Sequence, residues 1–264
     1  MLTAAKALEK REAMLRDGYV LIENILPESL LEELRQETER LIAGHTEAPE
    51  LRYQGQHIDE FAVDNPVIDR LLTWKPACDA LAAMGFGDFR PEGKVIILTK
   101  EAGGPPLYWH QDWIFWNDPL SLAPWPQVVA LNYYLTDTSA ENGCLRVIPG
   151  SHRKRFPLHD RIVPAHEEGA RYVSEDDPVM FSEDPDQVLV PVSAGDLVLL
   201  DARTLHAAGR NRTDQRRTLV LAWHLRPMDT VPDYWQGEVP AAIADRDPAA
   251  EYESLRTPGE FLKP

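Results

Sequence analysis

The sequence predicts a mainly β protein with helices (α+β), in which an antiparallel sandwich or jelly roll follows a helical layer. The first 92 residues carry helical periodicity, and from residue 93 onward short β-rich runs are separated by Gly, Pro, Asn and Asp. The connections between these runs are too brief for crossover helices, which favours antiparallel sheets over a parallel doubly wound sheet. With 264 residues, of which 44% are hydrophobic, a single domain over 1–264 is expected.

The helical signals lie in 1–92, which we expect to support the sheets. Residues Ala4–Asp17 are predicted to form a helix, and GYVLIENIL a short strand that Pro27 closes. A second helix covers PESLLEELRQETERLIAGH and ends near Gly44. A further single helix is predicted over 66–85.

The jelly-roll core is expected over 93–227, with a C-terminal extension over 228–264. Its strands are predicted in six runs: KVIILTK, VVALNYYLTD, CLRVIPG, QVLVPV, DLVLLDA and RRTLVLAWHL. Residues 153–186 interrupt them with a stretch that is rich in Pro, Asp, Glu and His and too long for a tight turn. Loops of this kind often act as lids, and a lid-like insertion is the expectation here.

The charge balance excludes several classes of partner. The chain has 27 Lys and Arg against 43 Asp and Glu, and its net charge of −16 repels phosphate backbones and anionic lipid surfaces. We therefore expect neither a nucleic-acid nor a membrane partner. The N-terminal segment carries alternating charges rather than an apolar signal sequence, so residence in the cytoplasm is expected. The two cysteines, Cys78 and Cys144, are predicted to be small buried residues without a disulfide.

The run YWHQDWIFWN, residues 108–117, places a histidine and a carboxylate among bulky aromatics. In a strand, positions i and i+2 share a face, so His110 and Asp112 can reach one point while Gln111 faces away. A later histidine would complete the two-histidine, one-carboxylate set of non-haem Fe(II) oxygenases, and His206 at the end of a predicted strand fits best. An HxD pair alone is a weak signal, and it gains weight from the residues that follow.

An oxygenase that uses 2-oxoglutarate also needs a buried cation for the distal carboxylate, and a guanidinium can bind it with two hydrogen bonds. The last strand offers Arg216 and Arg217. By alternation, Arg217 shares a face with three apolar residues, Leu219, Leu221 and Trp223. Arg217 is therefore the candidate, although parity alone separates the two arginines poorly.

Four motifs together resemble the phytanoyl-CoA dioxygenase family, whose small bacterial members include ectoine hydroxylases and natural-product oxygenases. They are WHQD, NGCLRVIPGSH, GDLVLLDARTLHAAGRN and an arginine eleven residues after the last histidine, and the resemblance runs over about 18–227. It implies a cupin-like double-stranded β-helix. It also implies Fe(II) on His110, Asp112 and His206, with the carboxylate of 2-oxoglutarate on Arg217.

The resemblance assigns further residues by position. Trp116 matches a tryptophan that lines the co-substrate cleft, Lys100 resembles a lysine common ahead of the HxD strand, and Trp113 occupies a position that faces substrate. Two departures stand out. Ala208 replaces a serine that often helps to bind the co-substrate carboxylate, so that Arg217 needs another hydroxyl. The run WIFWNDPLS differs from its counterpart in ectoine hydroxylases, which argues against ectoine as substrate.

The predicted activity is Fe(II)- and 2-oxoglutarate-dependent oxidation by O2 of a small molecule, such as a metabolite, an amino acid or a natural-product intermediate, with release of succinate and CO2. A carboxylate at Asp112 favours hydroxylation over halogenation, while desaturation, epoxidation and cyclisation stay open. Two other classes also stay open. One is a non-catalytic jelly-roll protein that binds a ligand, and the other is a cupin-type metalloenzyme that does not use 2-oxoglutarate.

The remaining histidines and one tryptophan have plainer interpretations. His152 is expected to hydrogen-bond a turn, and Trp109 to be part of the core. Three other histidines are interpreted as surface or second-layer residues: His159, His166 and His224.

Overall fold

Ten strands in the described part of the chain form two antiparallel sheets. The computed structural model of the protein describes residues 2–46, 58–162, 177–250 and 252. The strands are β1 (Tyr19–Ile22), β2 (Ile58–Val63), β3 (Arg90–Lys100), β4 (Leu107–His110), β5 (Val128–Tyr134), β6 (Leu145–Val147), β7 (Val188–Val190), β8 (Leu197–Asp201), β9 (His206–Ala208) and β10 (Arg217–Leu225). The helices are α1 (Ala4–Asp17), α2 (Glu28–Gly44), α3 (Lys75–Ala83) and α4 (Ala241–Ala244), with 3-10 turns at Asp69–Thr73, Pro119–Leu122 and Pro157–Asp160.

The two sheets differ in size. The larger has the order β1-β8-β5-β10-β3-β2, and the smaller has the order β4-β9-β6-β7. All the pairings are antiparallel. The predicted antiparallel β architecture with few helices is therefore confirmed, and each of the six predicted strand runs contains a strand.

Alternation along β10 shows how the layers pack. Val220 and Ala222 belong to a cluster with apolar residues of α1, α2 and α3, so the helices cover one face of the larger sheet. Leu219 and Leu221 point the other way, into a cluster that includes Leu145 of the smaller sheet. Burying a side chain of this size stabilises the fold by about 1.5–3 kcal/mol. The inner face of β10, which carries Arg217, thus lies between the two sheets.

The N-terminal segment contributes strands as well as helices. Helix α1 has the predicted bounds: Thr3 caps its first turn, and Gly18 ends it in the left-handed region with a φ of 83°. However, β1 and β2 both lie within 1–92 and both join the larger sheet. The sequence analysis did not predict β2.

The single helix predicted over 66–85 was wrong. The chain forms a 3-10 turn over Asp69–Thr73, extends at Trp74, where ψ is 111°, and begins α3 at Lys75. Pro76 explains the break, because in a continuous helix its ring would clash with the carbonyl of Leu72. That carbonyl instead accepts a hydrogen bond from His224 Nε2 at 3.0 Å.

His159 and His224 were interpreted as surface or second-layer residues. Both side chains are buried, so the surface interpretation is wrong for them. His159 Nδ1 accepts a hydrogen bond from the amide of Phe156. His166 lies outside the described residues, as do residues 163–176 of the predicted lid. Cys144 is buried and Cys78 half-buried, and both are free thiols. No helix in the described ranges is long and apolar enough to cross a membrane.

His152 joins the smaller sheet to the C-terminal end of α1. It is buried, and its Nε2 donates to the carbonyl of Leu15 at 3.2 Å. The ring lies against Gly18, where a Cβ atom would come within 2.6 Å of Nδ1. Burial lowers the pKa of His152 to about 4, which keeps the imidazole neutral in the folded protein. The expectation that His152 forms a hydrogen bond rather than a metal bond agrees with this contact.

The buried His152 predicts a specific dependence of stability on pH. An unfolded histidine has a pKa near 6.5, so between pH 6.5 and 4 the unfolded chain binds a proton that the folded chain does not. The free energy of unfolding should therefore fall on acidification, by about 1.4 kcal/mol per pH unit for this residue. His152→Gln keeps a donor for Leu15 but cannot titrate, so urea unfolding at a series of pH values should show a slope smaller by about one proton. An unchanged slope would contradict the buried, neutral state.

Candidate active site

Three side chains predicted as metal ligands come together at one end of the smaller sheet. His110 is the last residue of β4, His206 is the first residue of β9, and the two face each other across the strand pair. Asp112 lies between them, with Oδ1 3.4 Å from His110 Nε2 and Oδ2 3.3 Å from His206 Nε2. One ligand atom from each residue lies within 4.8 Å of the others.

Two details differ from the sequence analysis. Strand β4 ends at His110, so Asp112 does not share a strand face with it and reaches the same point from the irregular segment that follows. His206 does not lie at the end of the strand before it, because the chain turns after Asp201 and His206 begins a strand of its own.

Backbone carbonyls fix both imidazole rings. The Nδ1 of His110 lies 2.9 Å from the carbonyl of Tyr108, and the Nδ1 of His206 lies 3.0 Å from the carbonyl of Thr204. A carbonyl only accepts, so each Nδ1 donates, and each Nε2 lies on the side of Asp112. Burial, assisted by the neighbouring His110, lowers the pKa of His206 to about 4, against the opposing effect of Asp112. Two imidazoles and a carboxylate are the donor set that suits a divalent transition metal.

A second charged group lies on the inner face of the larger sheet, where Arg217 and Lys100 are direct partners across β10 and β3. Arg217 is 5% exposed and Lys100 is 0% exposed. Arg217 donates to the carbonyl of Gly143 at 2.7 Å, and Lys100 donates to the carbonyl of Gly209. The Nε of Arg217 has no hydrogen-bond partner among the described residues. Burial, together with the charge of Arg217, holds the pKa of Lys100 well below its ordinary value. Two buried cations side by side fit an anionic ligand.

Arg216 is placed differently from its neighbour. It is half-buried and binds Glu39 and Glu101, with N–O distances of 2.7 and 2.5 Å. Of the two candidate arginines, Arg217 is therefore the buried one on the inner face. The apolar character of its face does not explain the difference, because Val220 and Ala222 on the opposite face are buried as well. Arg217 differs from Arg216 because its face of β10 lies toward the space between the two sheets.

Strand β9 connects the two groups. His206 and Ala208 share one of its faces and are two residues, about 6.6 Å, apart. Gly209, the next residue, supplies the carbonyl that Lys100 binds. The triad and the cation pair therefore meet the same segment at positions three residues apart, His206 and Gly209. Ala208 presents only a methyl group between them.

Tyr134 was not predicted as a site residue, although it offers a hydroxyl near Arg217. It pairs with Leu219 on β10, two residues from Arg217, and is buried in the inner cluster. Burial raises its pKa to about 12, while the charge of Arg217 opposes that shift. The run VVALNYYLTD could have indicated this residue. By strand alternation, Tyr134 shares its face with the polar Asn132 and the small Ala130.

The aromatic residues separate into packed and partly exposed groups. Trp109 is 0% exposed and donates to the carbonyl of Ser182 at 2.8 Å, which agrees with a core role. Trp113 is 1% exposed and donates to Ser121 Oγ at 2.9 Å. Trp116 is only half-buried and meets the Trp113 ring edge-on at 6.5 Å. Other partly buried residues pack against the same cluster: Phe115, Trp223, Leu225, Met228 and Ile243.

The family model described as Phytanoyl-CoA dioxygenase (PhyH) matches residues 14–219, which is most of the chain. The chain belongs to the phytanoyl-CoA dioxygenase family. The resemblance seen in its motifs is thereby confirmed, and with it the enzyme class, that of a dioxygenase. A probable alpha-ketoglutarate-dependent hypophosphite dioxygenase of Stutzerimonas stutzeri is 28% identical over 187 residues, covering 65% of this chain and 62% of that relative. An ectoine dioxygenase of Nocardia farcinica is 24% identical over 212 residues, which are 75% of this chain and 70% of that relative.

Solved structures share the fold. The epimerase SnoN from nogalamycin biosynthesis, in complex with Fe3+, alpha ketoglutarate and nogalamycin RO, has a TM-score of 0.65 at 24% identity and covers 97% of this chain and 99% of its own. HygX from Streptomyces hygroscopicus, with nickel, 2-oxoglutarate and hygromycin B bound, has a TM-score of 0.61 at 20% identity, covering 86% of this chain and 88% of its own. At these identities the likeness is one of fold.

The triad predicts that the protein binds a divalent transition metal and that binding depends on these three residues. Mn(II), a redox-stable substitute for Fe(II), should bind the parent protein, and His206→Ala or Asp112→Ala should weaken binding by more than the roughly 10–100-fold typical of losing an outer-sphere partner. His152→Gln is the matched control, because this buried histidine makes only structural contacts. Equilibrium titration followed by electron paramagnetic resonance measures the dissociation constant. Equal affinity in the parent and the two triad variants would contradict this site.

Proposed function

We propose that the protein is an Fe(II)- and 2-oxoglutarate-dependent dioxygenase that oxidises a small organic molecule. The observation that carries the proposal is the placement of a two-histidine, one-carboxylate group and a buried cation pair at opposite ends of β9. The first group suits a ferrous ion, and the second suits the distal carboxylate of 2-oxoglutarate. Membership in the dioxygenase family supports both assignments.

His110, Asp112 and His206 would hold the metal. Three protein ligands leave positions open for a chelating co-substrate and for dioxygen, which is why this chemistry needs three ligands rather than four. When bound, iron with O2 and 2-oxoglutarate supplies the oxidising power, and succinate and CO2 are released. The Tyr108 and Thr204 carbonyls keep both Nε2 atoms directed at the metal position.

Arg217 and Lys100 would bind the co-substrate carboxylate, and Tyr134 is placed to supply the hydroxyl that Ala208 lacks. The free Nε of Arg217 gives the guanidinium a donor to offer besides the one bound to Gly143. Trp116 is proposed as a wall of the co-substrate cleft, in line with its family position. Since these groups lie between the sheets, the bound acid would be shielded from water.

The substrate is proposed to be a small metabolite, amino acid or natural-product intermediate that presents an apolar surface. Half-buried residues packed against the cluster of Trp113, which follows Asp112 in the chain, support an apolar wall; they include Phe115, Trp116 and Trp223. Trp113 is the proposed substrate-facing residue by family position, and its hydrogen bond to Ser121 would hold the indole ring in place. Hydroxylation is the favoured outcome, because Asp112 occupies the coordination position that a halogenating enzyme leaves for halide.

We further propose that the two sheets form the double-stranded β-helix expected from the family, within one domain over 1–264. Residues 153–186 are proposed as a lid. The cytoplasm is the proposed location, as the sequence analysis suggested.

The central test is succinate formation. The parent protein supplied with Fe(II), 2-oxoglutarate and O2 should release succinate slowly, and faster when a screen of small molecules reaches a true substrate. His110→Ala and Asp112→Ala should reduce the rate to background, because each removes a metal ligand. If either variant formed succinate as fast as the parent, the assignment would be wrong.

The cation pair predicts a separate effect on co-substrate binding. Arg217→Met should raise the dissociation constant of 2-oxoglutarate at least roughly 30-fold, because truncating one partner of a buried charge interaction costs about 2–5 kcal/mol. Arg216→Met, next in the chain, should leave it within about twofold, since that guanidinium binds Glu39 and Glu101 instead. Thermal stabilisation of the Mn(II) protein by 2-oxoglutarate measures both. Equal losses in the two variants would count against the pocket.

A further inference from the structure

Arg203 is bonded to both of the chain segments that carry the triad. The HxD segment, residues 110–125, supplies His110 and Asp112, and the β8–β9 turn, residues 201–206, supplies His206. Arg203 lies in the turn, yet its guanidinium donates to three carbonyls of the HxD segment. These belong to Ser121, Ala123 and Trp125, at 3.3, 2.7 and 2.9 Å. The remaining face of the guanidinium binds Asp201 through two hydrogen bonds of 3.0 and 2.7 Å.

The same two segments are joined again beside the ligands. Gln111, between His110 and Asp112, donates its side-chain amide to the carbonyl of Arg203. One residue after Asp112, the amide of Trp113 donates to the carbonyl of Ala202 at 2.8 Å. Asp112 is therefore flanked on both sides by residues bonded to the β8–β9 turn.

Stability alone does not account for this arrangement. Arg203 and Asp201 are each 1% exposed, and buried ion pairs can often be replaced by apolar residues without loss of stability. An apolar side chain cannot hold three carbonyls at fixed positions, whereas the planar fork of a guanidinium can. The contacts of Arg203 thus determine where the HxD segment lies relative to the turn that presents His206.

We propose that Arg203 and Gln111 are positioning residues that set the place of Asp112 relative to His206, and that metal affinity depends on them. The inference rests on the proposed function, since it assigns these residues to the metal site of that enzyme. Neither side chain has to touch the metal. Asp112 is the ligand most in need of such support, because it follows the end of β4 and has no strand pairing of its own.

The test compares metal binding with stability in three variants. Arg203→Lys keeps a positive charge beside Asp201 but loses the fork, and Gln111→Leu removes one hydrogen bond while keeping the size of the side chain. Arg226→Lys is the matched control. Arg226 is also 1% exposed, and it binds the carboxylate of Asp88 and the carbonyl of Pro126. Neither partner belongs to residues 110–113 or to the β8–β9 turn.

Arg203→Lys is expected to raise the dissociation constant of Mn(II) at least about 10-fold, the size of effect seen when a partner behind a ligand is lost. Gln111→Leu should raise it in the same direction, and both should change the Mn(II) resonance spectrum. Arg226→Lys should lower the melting temperature and leave the dissociation constant and the spectrum as in the parent. Measuring well below every melting temperature keeps folding losses out of the comparison.

Two results would overturn the inference: parent-like affinity in folded Arg203→Lys and Gln111→Leu, or an equal loss of affinity in Arg226→Lys. Because Gln111→Leu leaves the buried ion pair intact, it still decides the question if Arg203→Lys fails to fold. The parent protein distinguishes failure of this inference from failure of the proposed function. If the parent itself binds no Mn(II), the proposed metal site is wrong. If the parent binds Mn(II) and the variants bind it equally well, only the positioning role of Arg203 and Gln111 is wrong.

Discussion

The pairing of β4 with β9 is the constraint on which the candidate site depends. It places His110 opposite His206, with ring centroids 4.1 Å apart, and it brings together residues separated by 96 positions in the chain. Hydrogen bonds to the carbonyls of Tyr108 and Thr204, each two residues before its histidine, then orient both rings. Only Asp112 arrives from outside the strand pair. A shift of one residue in this register would turn one imidazole away from the other and disperse the donor set.

The same short strand also relates the triad to the cations of the larger sheet. Ala208 and Gly209 lie two and three residues after His206, and the inner faces of β3 and β10 bring Lys100 and Arg217 to that end. Two like charges buried side by side are unfavourable without a counter-ion. As proposed, the space between the sheets would bind a cation at one end and an anion at the other.

Much of this could be predicted from the sequence, and the failures have physical causes. Arg217 was chosen by alternation in β10 together with the family resemblance, because alternation alone separated it poorly from Arg216. His206 was chosen by its place after the run DLVLLDA, which is a local signal. The position of Asp112 in a strand was wrong because β4 ends at His110. The helical stretch over 66–85 is interrupted before Pro76, and the carbonyl of Leu72 accepts a hydrogen bond from His224, a contact between distant residues that the local pattern does not encode. Gln111 and Arg203 were not recognised, since their partners lie about 80–90 residues away and no periodicity encodes such contacts.

The suppressed basicity of Lys100 has a chemical consequence for any acid that binds between the sheets. A buried amine whose pKa is held down by burial and by Arg217 gives up its proton more easily while the position is without an anion. The arrival of a carboxylate favours the ammonium form and draws a proton from solvent. Binding of an acid at this position would then be coupled to protonation of Lys100 and would be favoured at lower pH.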